Sequence, residues 1–257
     1  MTTTSEIVGY LDNILEIATV PDYPGAVNGL QLANRGSVHK VAACVDFSSR
    51  SVSRAAEEKA DLLIVHHGMF WGGAKAIVGN AYLRLRMLLD NDIAVYASHL
   101  PLDRHATFGN NALLSKQLGL VPSGAFAHYK GVAVGVQGDA DVLTTDILER
   151  ARRFARTHGG DAIPTSFAEG RRTKRWAICT GAGASGETLQ EATEAGIDTL
   201  IVGEGPHWTA VEAGELDIAI IYADHYATET LGVAALAEHV AQKYELEWTM
   251  IHAPTGL

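Results

Sequence analysis

The sequence predicts an α/β protein built from two similar halves, and three observations predict it. Short apolar runs of strand length alternate with stretches of helical period. Glycines fall directly after many of those runs, which suits tight turns beyond strand ends, and 26 glycines among 257 residues is above the usual ~7%. The third observation is a repeat. Asp61-Leu62-Leu63-Ile64-Val65-His66-His67-Gly68 is echoed by Asp198-Thr199-Leu200-Ile201-Val202-Gly203-Glu204-Gly205, and Asp92–His99 is echoed by Asp217–His225, in the same order.

In chain order, a helix opens after Thr4-Ser5, with Ile7, Leu11, Ile14, Leu15 and Ala18 on one face, and Pro21 and Pro24 end it. Strands are expected over Val41–Val45, Leu62–Val65, Ile93–Ala97, Val132–Val136, Trp176–Cys179, Thr199–Val202, Ile218–Tyr222 and Leu246–Ile251. Helices are expected over Ser51–Lys59, Leu83–Leu89, Asp141–Ala155, Glu187–Ala195 and Glu229–Val240. Residues 1–122 form the first half, which carries His66, His67 and Asp103. Residues 123–257 hold a connecting region and the second half, which carries His225 and Glu229.

Composition excludes several classes. Lys and Arg total 20 against 30 Asp and Glu, a formal charge of −10, so neither nucleic acid nor an anionic membrane surface is an expected partner. No apolar run approaches the ~18–20 residues of a membrane span, and the N-terminus lacks the basic and apolar regions of a secretory signal, so a cytoplasmic protein is expected. Cys44 and Cys179 lie in apolar strand-like runs, which reads as two buried thiols in a reducing compartment.

Ligands of open α/β sheets bind beyond the carboxyl ends of strands. Those ends here carry His66-His67, then His99 and Asp103, then Glu204, then His225 and Glu229. The echo aligns His99 with His225 and Asp103 with Glu229, four residues on in each case, so each pair shares one face of a helical turn. Gly68 is expected to turn the backbone so that His66 and His67 converge. A lone histidine is usually a structural one, but ligand-type residues at matching positions of two halves form a constellation. Imidazoles and carboxylates without a thiolate suit Zn²⁺, Mn²⁺ or Fe²⁺. Three imidazoles and two carboxylates suffice for two ions and hydrolytic chemistry.

These residues also carry a resemblance. His66-His67-Gly68-Met69-Phe70-Trp71-Gly72-Gly73, Ser98-His99-Leu100-Pro101-Leu102-Asp103 and His225-Tyr226-Ala227-Thr228-Glu229 resemble the signature blocks of the NIF-three-like family, whose members are widely named GTP cyclohydrolase I type 2 homologues. Val27-Asn28-Gly29-Leu30-Gln31 and the glycine-rich turn Gly181-Ala182-Gly183-Ala184-Ser185 are similar to two further blocks. The resemblance implies a short bacterial form with a dinuclear site between two α/β halves, assembled as a homohexameric ring. Its metal ligands fall on His66, His67, Asp103, His225 and Glu229, leaving His99 and Glu204 for catalytic or supporting roles. Asp224 stands where many members have glycine.

Three readings of function follow. The leading one is a metal-dependent hydrolase of a nucleotide-like or phosphorylated small molecule. The second is a non-catalytic metal-binding scaffold or metal-sensing oligomer. The third is dinucleotide binding, because Gly181-Ala182-Gly183-Ala184-Ser185-Gly186 spells G-x-G-x-x-G between a strand and a helix. The basic segment Arg171–Arg175 reads either as a solvated connection or as a phosphate-binding loop.

Overall fold

The computed structural model describes residues 2–257. It opens with α1 (Thr4–Ile14), capped by Thr3, whose hydroxyl accepts the Glu6 N–H while the Glu6 carboxylate accepts the Thr3 N–H. Such a reciprocal cap is worth about 1 kcal/mol. The helix ends short of the apolar period that extends to Ala18, because Leu15 caps it and Glu16 adopts a left-handed φ of 54°.

There follow β1 (Gly29–Leu32), β2 (Lys40–Asp46), α2 (Ser49–Glu57), β3 (Leu62–His67), α3 (Asn80–Asp90), β4 (Ala94–Ala97) and the single turn α4 (Leu100–Asp103). Next come α5 (Asn110–Gln117), β5 (Gly124–Tyr129), β6 (Val132–Leu143), α6 (Thr144–Thr157), β7 (Ile163–Pro164), β8 (Arg172–Cys179), α7 (Gly186–Glu194), β9 (Thr199–Val202), α8 (His207–Glu215) and β10 (Ala219–Tyr222). The chain finishes with α9 (His225–Tyr244) and β11 (Glu247–Met250). Asp141, expected to open a helix, is still in β6, because Val142 and Leu143 continue the ladder with Thr173 and Arg172.

The chain forms two compact units. The first takes the chain up to Leu102 and again Gly232–Ala253; the second takes Asp103–Leu231 and Pro254–Leu257. The division thus falls at Asp103 rather than after residue 122, and the last part of α9 with β11 returns to the first unit. The first unit holds a five-stranded sheet, β1-β4-β3-β2-β11, and the second a six-stranded sheet, β5-β6-β8-β9-β10-β7. Residues expected as a connecting region instead build sheet: β6 pairs antiparallel with both β5 and β8.

The repeat is visible in hydrogen bonds. β2-β3-β4 and β8-β9-β10 are parallel triplets. Asp61 accepts the N–H groups of His39 and Lys40, as Asp198 accepts those of Lys174 and Arg175. Asp92 and Asp217 both turn left-handed, at φ 56° and 54°, just before β4 and β10. Ser48 and Ser185 cap α2 and α7 with the same reciprocal bonds to Ser51 and Thr188. Cys44 and Cys179 occupy the same rung, opposite Val65 and Val202.

The shared rungs of both triplets, Val41–Val45, Leu62–Val65 and Ala94–Ala97 in the first and Trp176–Ile178, Thr199–Val202 and Ala219–Ile221 in the second, are buried, as in parallel strands covered on both faces. Ala42, Cys44, Val52, Leu63, Val65 and Val95 belong to the first core; Ile147, Phe154, Trp176, Ile178, Ile201 and Ile221 belong to the second.

Candidate metal centre

In the first unit, the carboxyl ends of β3 and β4 bring three imidazoles together, with Asp46 at the end of β2 beside them. Ligand-type atoms of His66, His67 and His99 lie within 4.8 Å of one another, and all three residues are buried. Each ring is oriented through Nδ1 by an oxygen that can only accept. His66 Nδ1 donates to the Ser98 carbonyl at 2.9 Å, His67 Nδ1 to Asp46 Oδ1 at 2.9 Å, and His99 Nδ1 to Asp22 Oδ1 at 2.8 Å. With the proton on Nδ1, the lone pair of each ring sits on Nε2, the tautomer that histidines supporting or holding a metal adopt.

The N-terminal loop is built around this cluster. Asn28 donates to Asp22 Oδ2 and accepts the His99 N–H at 2.8 Å, while Leu100 N–H also reaches Asp22 at 2.9 Å. Burial pushes the Asp22 carboxyl up, but the His99 imidazole, the Asn28 amide and the Tyr23 N–H together hold it below its ordinary value. Gln31 fastens the same loop, donating to the carbonyls of Ala26 and Val27 and accepting the Met69 N–H at 2.6 Å. Gly68 does not take a positive φ. Its missing side chain makes room for the Gln31 amide, so it serves packing rather than the expected turn. Half-exposed Trp71 packs its ring 4.6 Å from His67 and 4.5 Å from His99, and Tyr23 stands edge-on to it at 6.4 Å.

The second unit carries the other expected ligands, Asp103, His225 and Glu229. Asp103, buried at the end of α4, accepts the Asn110 side-chain N–H at 2.8 Å. Its carbonyl accepts from Asn111, whose own side-chain oxygen takes the Thr180 N–H at the end of β8. In the first turn of α9, His225 Nδ1 meets Glu204 Oε1 at 2.6 Å and Nε2 meets Glu229 Oε2 at 3.1 Å. Burial pulls the His225 pKa down, but the Glu229 and Glu204 carboxylates outweigh it and hold it up at about 9. Burial and, after it, the nearby Asp103 and Glu229 carboxylates push the Cys179 thiol up to about 12.

The hydrogen-bond register revises one alignment. Ser98 N–H bonds the Val65 carbonyl as Ala223 N–H bonds that of Val202. The counterpart of His99 is therefore Asp224, and the echo with His225 is displaced by one residue. Sequence reasoning missed the orienting roles of Asp22 and Asp46. Asp46 carried a signal, an acid closing a strand beside the His67 strand, whereas Asp22 reaches a partner 77 residues away.

Comparison with known proteins follows the same outline. The DUF34/NIF3 (NGG1p interacting factor 3) model matches residues 2–255. The chain belongs to the DUF34/NIF3 family. A "GTP cyclohydrolase 1 type 2 homolog" of Deinococcus radiodurans is 35% identical, covering 98% of this chain and 94% of that protein. One of the same name from Pyrococcus abyssi is 38% identical, covering 98% of each. The crystal structure of TTHA1606 from Thermus thermophilus superposes with a TM-score of 0.86 at 34% identity, covering 100% of both chains.

Within this DUF34/NIF3 chain the dinucleotide-like glycines have local packing reasons. Gly181 has a φ of 63°, and a Cβ there would overlap Glu229 Oε1; one on Gly183 would overlap the Cys179 carbonyl. In the basic segment, Arg171 pairs with Asp217, Arg172 and Lys174 pair with Asp141, and Arg175 pairs with Asp139. These cations are neutralised by their own sheet. Among the described residues no helix is long and apolar enough to cross a membrane.

Proposed function

We propose that this chain is a metal-dependent hydrolase of a nucleotide-like or phosphorylated small molecule, holding two divalent ions (Zn²⁺, Fe²⁺ or Mn²⁺) through His66, His67, Asp103, His225 and Glu229. The observation that carries the reading is the shared orientation of the imidazoles. His66, His67, His99 and His225 each place Nδ1 on a carbonyl or carboxylate oxygen. His128 and His158 make a similar Nδ1 contact elsewhere, so what sets the candidates apart is that this support comes with clustering, the ligand-type atoms of His66, His67 and His99 lying within 4.8 Å of one another. Buried carboxylates on Asp103 and Glu229 add the negative charge that divalent ions require.

Ions of this class supply Lewis acidity and a hydroxide nucleophile at neutral pH. The chain's own residues orient, shield and move protons. Asp46 and Glu204 fix the rings of His67 and His225. Trp71 covers the His67 and His99 rings and limits solvent there. His99, held by ionised Asp22, relays a proton at Nε2. Self-association into a homohexameric ring belongs to the same reading and is checked by light scattering.

Elemental analysis of untagged protein, paired with anomalous scattering at each metal edge, tests it. Two ions per chain are expected, as is turnover within a panel of phosphoesters, nucleotides and cyclic amides. No uptake after reconstitution removes the basis of the proposal. Full loading without turnover, together with loss of the oligomer in His66→Ala, identifies a scaffold instead.

A further inference from the structure

The first unit carries one more nitrogen ligand than the proposed ligand set uses. His66 and His67 belong to that set and His99 does not, yet the ligand-type atoms of all three lie within 4.8 Å of one another. Their ring centroids are 4.8 Å apart for His66 and His99, 4.9 Å for His66 and His67, and 5.6 Å for His67 and His99. All three residues are buried. Three imidazoles gathered in one buried place take the room of apolar packing, which is costly unless their nitrogens are used.

His99 is fastened as firmly as the other two. Its Nδ1 bond to Asp22 Oδ1, at 2.8 Å, matches the 2.9 Å bond of His67 Nδ1 to Asp46 Oδ1. Asp22 is held in turn by the Asn28 amide and the Leu100 N–H, and Asn28 also accepts the His99 N–H. Rings held in this way need little rearrangement to take an ion. In the second unit, by contrast, His225 Nε2 already faces Glu229 Oε2 at 3.1 Å, and an ion has to enter between them. Charge fits as well. Behind the neutral rings stand the carboxylates of Asp22 and Asp46, whose two negative charges offset those of one divalent cation. An all-nitrogen donor set suits Zn²⁺, Co²⁺, Ni²⁺ or Cu²⁺ better than Mn²⁺ or Mg²⁺, which prefer oxygen.

We infer that the first unit is by itself a one-ion site, in which Nε2 of His66, His67 and His99 together hold the first divalent cation, of the Zn²⁺ class, that the chain takes up. His99 is a metal ligand in that state. It is released for proton transfer when the chain passes to the two-ion state proposed above, in which Asp103, His225 and Glu229 take part. The inference rests on the metal-binding part of that reading and not on hydrolysis.

Titration of the metal-stripped full chain with Zn²⁺ and, separately, with Mn²⁺ tests it, together with zinc-edge X-ray absorption of the chain holding one equivalent. Three imidazoles are expected around the first Zn²⁺, and an affinity at least about a hundredfold above that for Mn²⁺. Glu229→Gln keeps this first ion. His99→Ala weakens it by more than about a hundredfold, the upper end for a residue that only supports a ligand. Asp22→Asn leaves all three ligands in place and weakens it about tenfold or more. The absorption measurement uses the natural chain, so it decides the matter even where a variant fails to fold. Fewer than three imidazoles around the first Zn²⁺, its loss in Glu229→Gln, or an unchanged affinity in His99→Ala overturns the site. Three imidazoles around the first ion, with no turnover by the fully loaded chain, keeps the site and removes the hydrolase reading; turnover with fewer than three does the reverse.

Discussion

The two repeats share a backbone plan and differ in where their carboxylates come from. In the first, Asp46 ends β2 beside His67 and supplies the acid itself. On the equivalent rung of the second stands Gly181, and the space its side chain would fill is taken by the Glu229 carboxylate from α9. The opposite exchange occurs at His67, whose counterpart is Glu204, and at His99, whose counterpart is Asp224. The two repeats thus share the strand ends as a platform and differ in the charges mounted on it. A strand-end position fixes geometry closely, so either partner of an imidazole–carboxylate pair can be mounted there.

The most damaging way to break the comparison is to impose one repeat's residue on the other. Gly181→Asp places a side chain at positive φ and against Glu229, and is expected to cost more than about 3 kcal/mol in denaturant unfolding. Asp46→Gly leaves open space and is expected to cost about 1 kcal/mol.

A smaller effect concerns His225, whose pKa is raised to about 9 from an ordinary 6.5. In metal-free protein this raised value contributes stability that is complete below about pH 6.5 and fades as pH rises through 9. Glu204→Gln, which removes one carboxylate, is expected to lower the His225 midpoint by about one unit in an NMR titration. An unchanged midpoint would show that Glu229 alone sets it.

The helix caps sharpen the comparison at lower cost. Ser48→Ala and Ser185→Ala should each lose about 1 kcal/mol, and near-equal losses are expected because both caps make the same bonds. Least perturbing is thiol labelling at pH 8. Burial pushes both thiols up to about 12, so Cys44 and Cys179 should react only on unfolding, with no difference between the repeats.

Much of this was legible in the sequence, for physical reasons. Strands covered on both faces read as uninterrupted apolar runs, so β2, β3, β8 and β9 stand out, and Asp61 and Asp198 mark the same turn in each repeat. β1, β5 and β7 were not expected. β1 reads as Gly-Leu-Gln-Leu, β5 has two exposed residues at its start, and β7 has only two residues. At the candidate site, His66, His67, His99, Asp103, Glu204, His225 and Glu229 were brought forward as candidates by residue types at strand ends. The orienting acids were not, because pairing Asp22 with His99 depends on a loop that returns across the chain. The counterpart of His99 also needed the ladder, since the letters favour His225 and only the bonds to Val65 and Val202 select Asp224.

The place of β11 carries a consequence for biosynthesis. It lies parallel to β2, completing the first unit's sheet with residues made after those of the second sheet, and Ile251 then enters the first unit's core. Until the ribosome has released those residues, β2 presents a bare row of amides, the kind of edge that recruits foreign strands. The polypeptide therefore begins its first sheet early and can seal it only after the strands of the second sheet have been made, which leaves the β2 edge open on the nascent chain in the meantime.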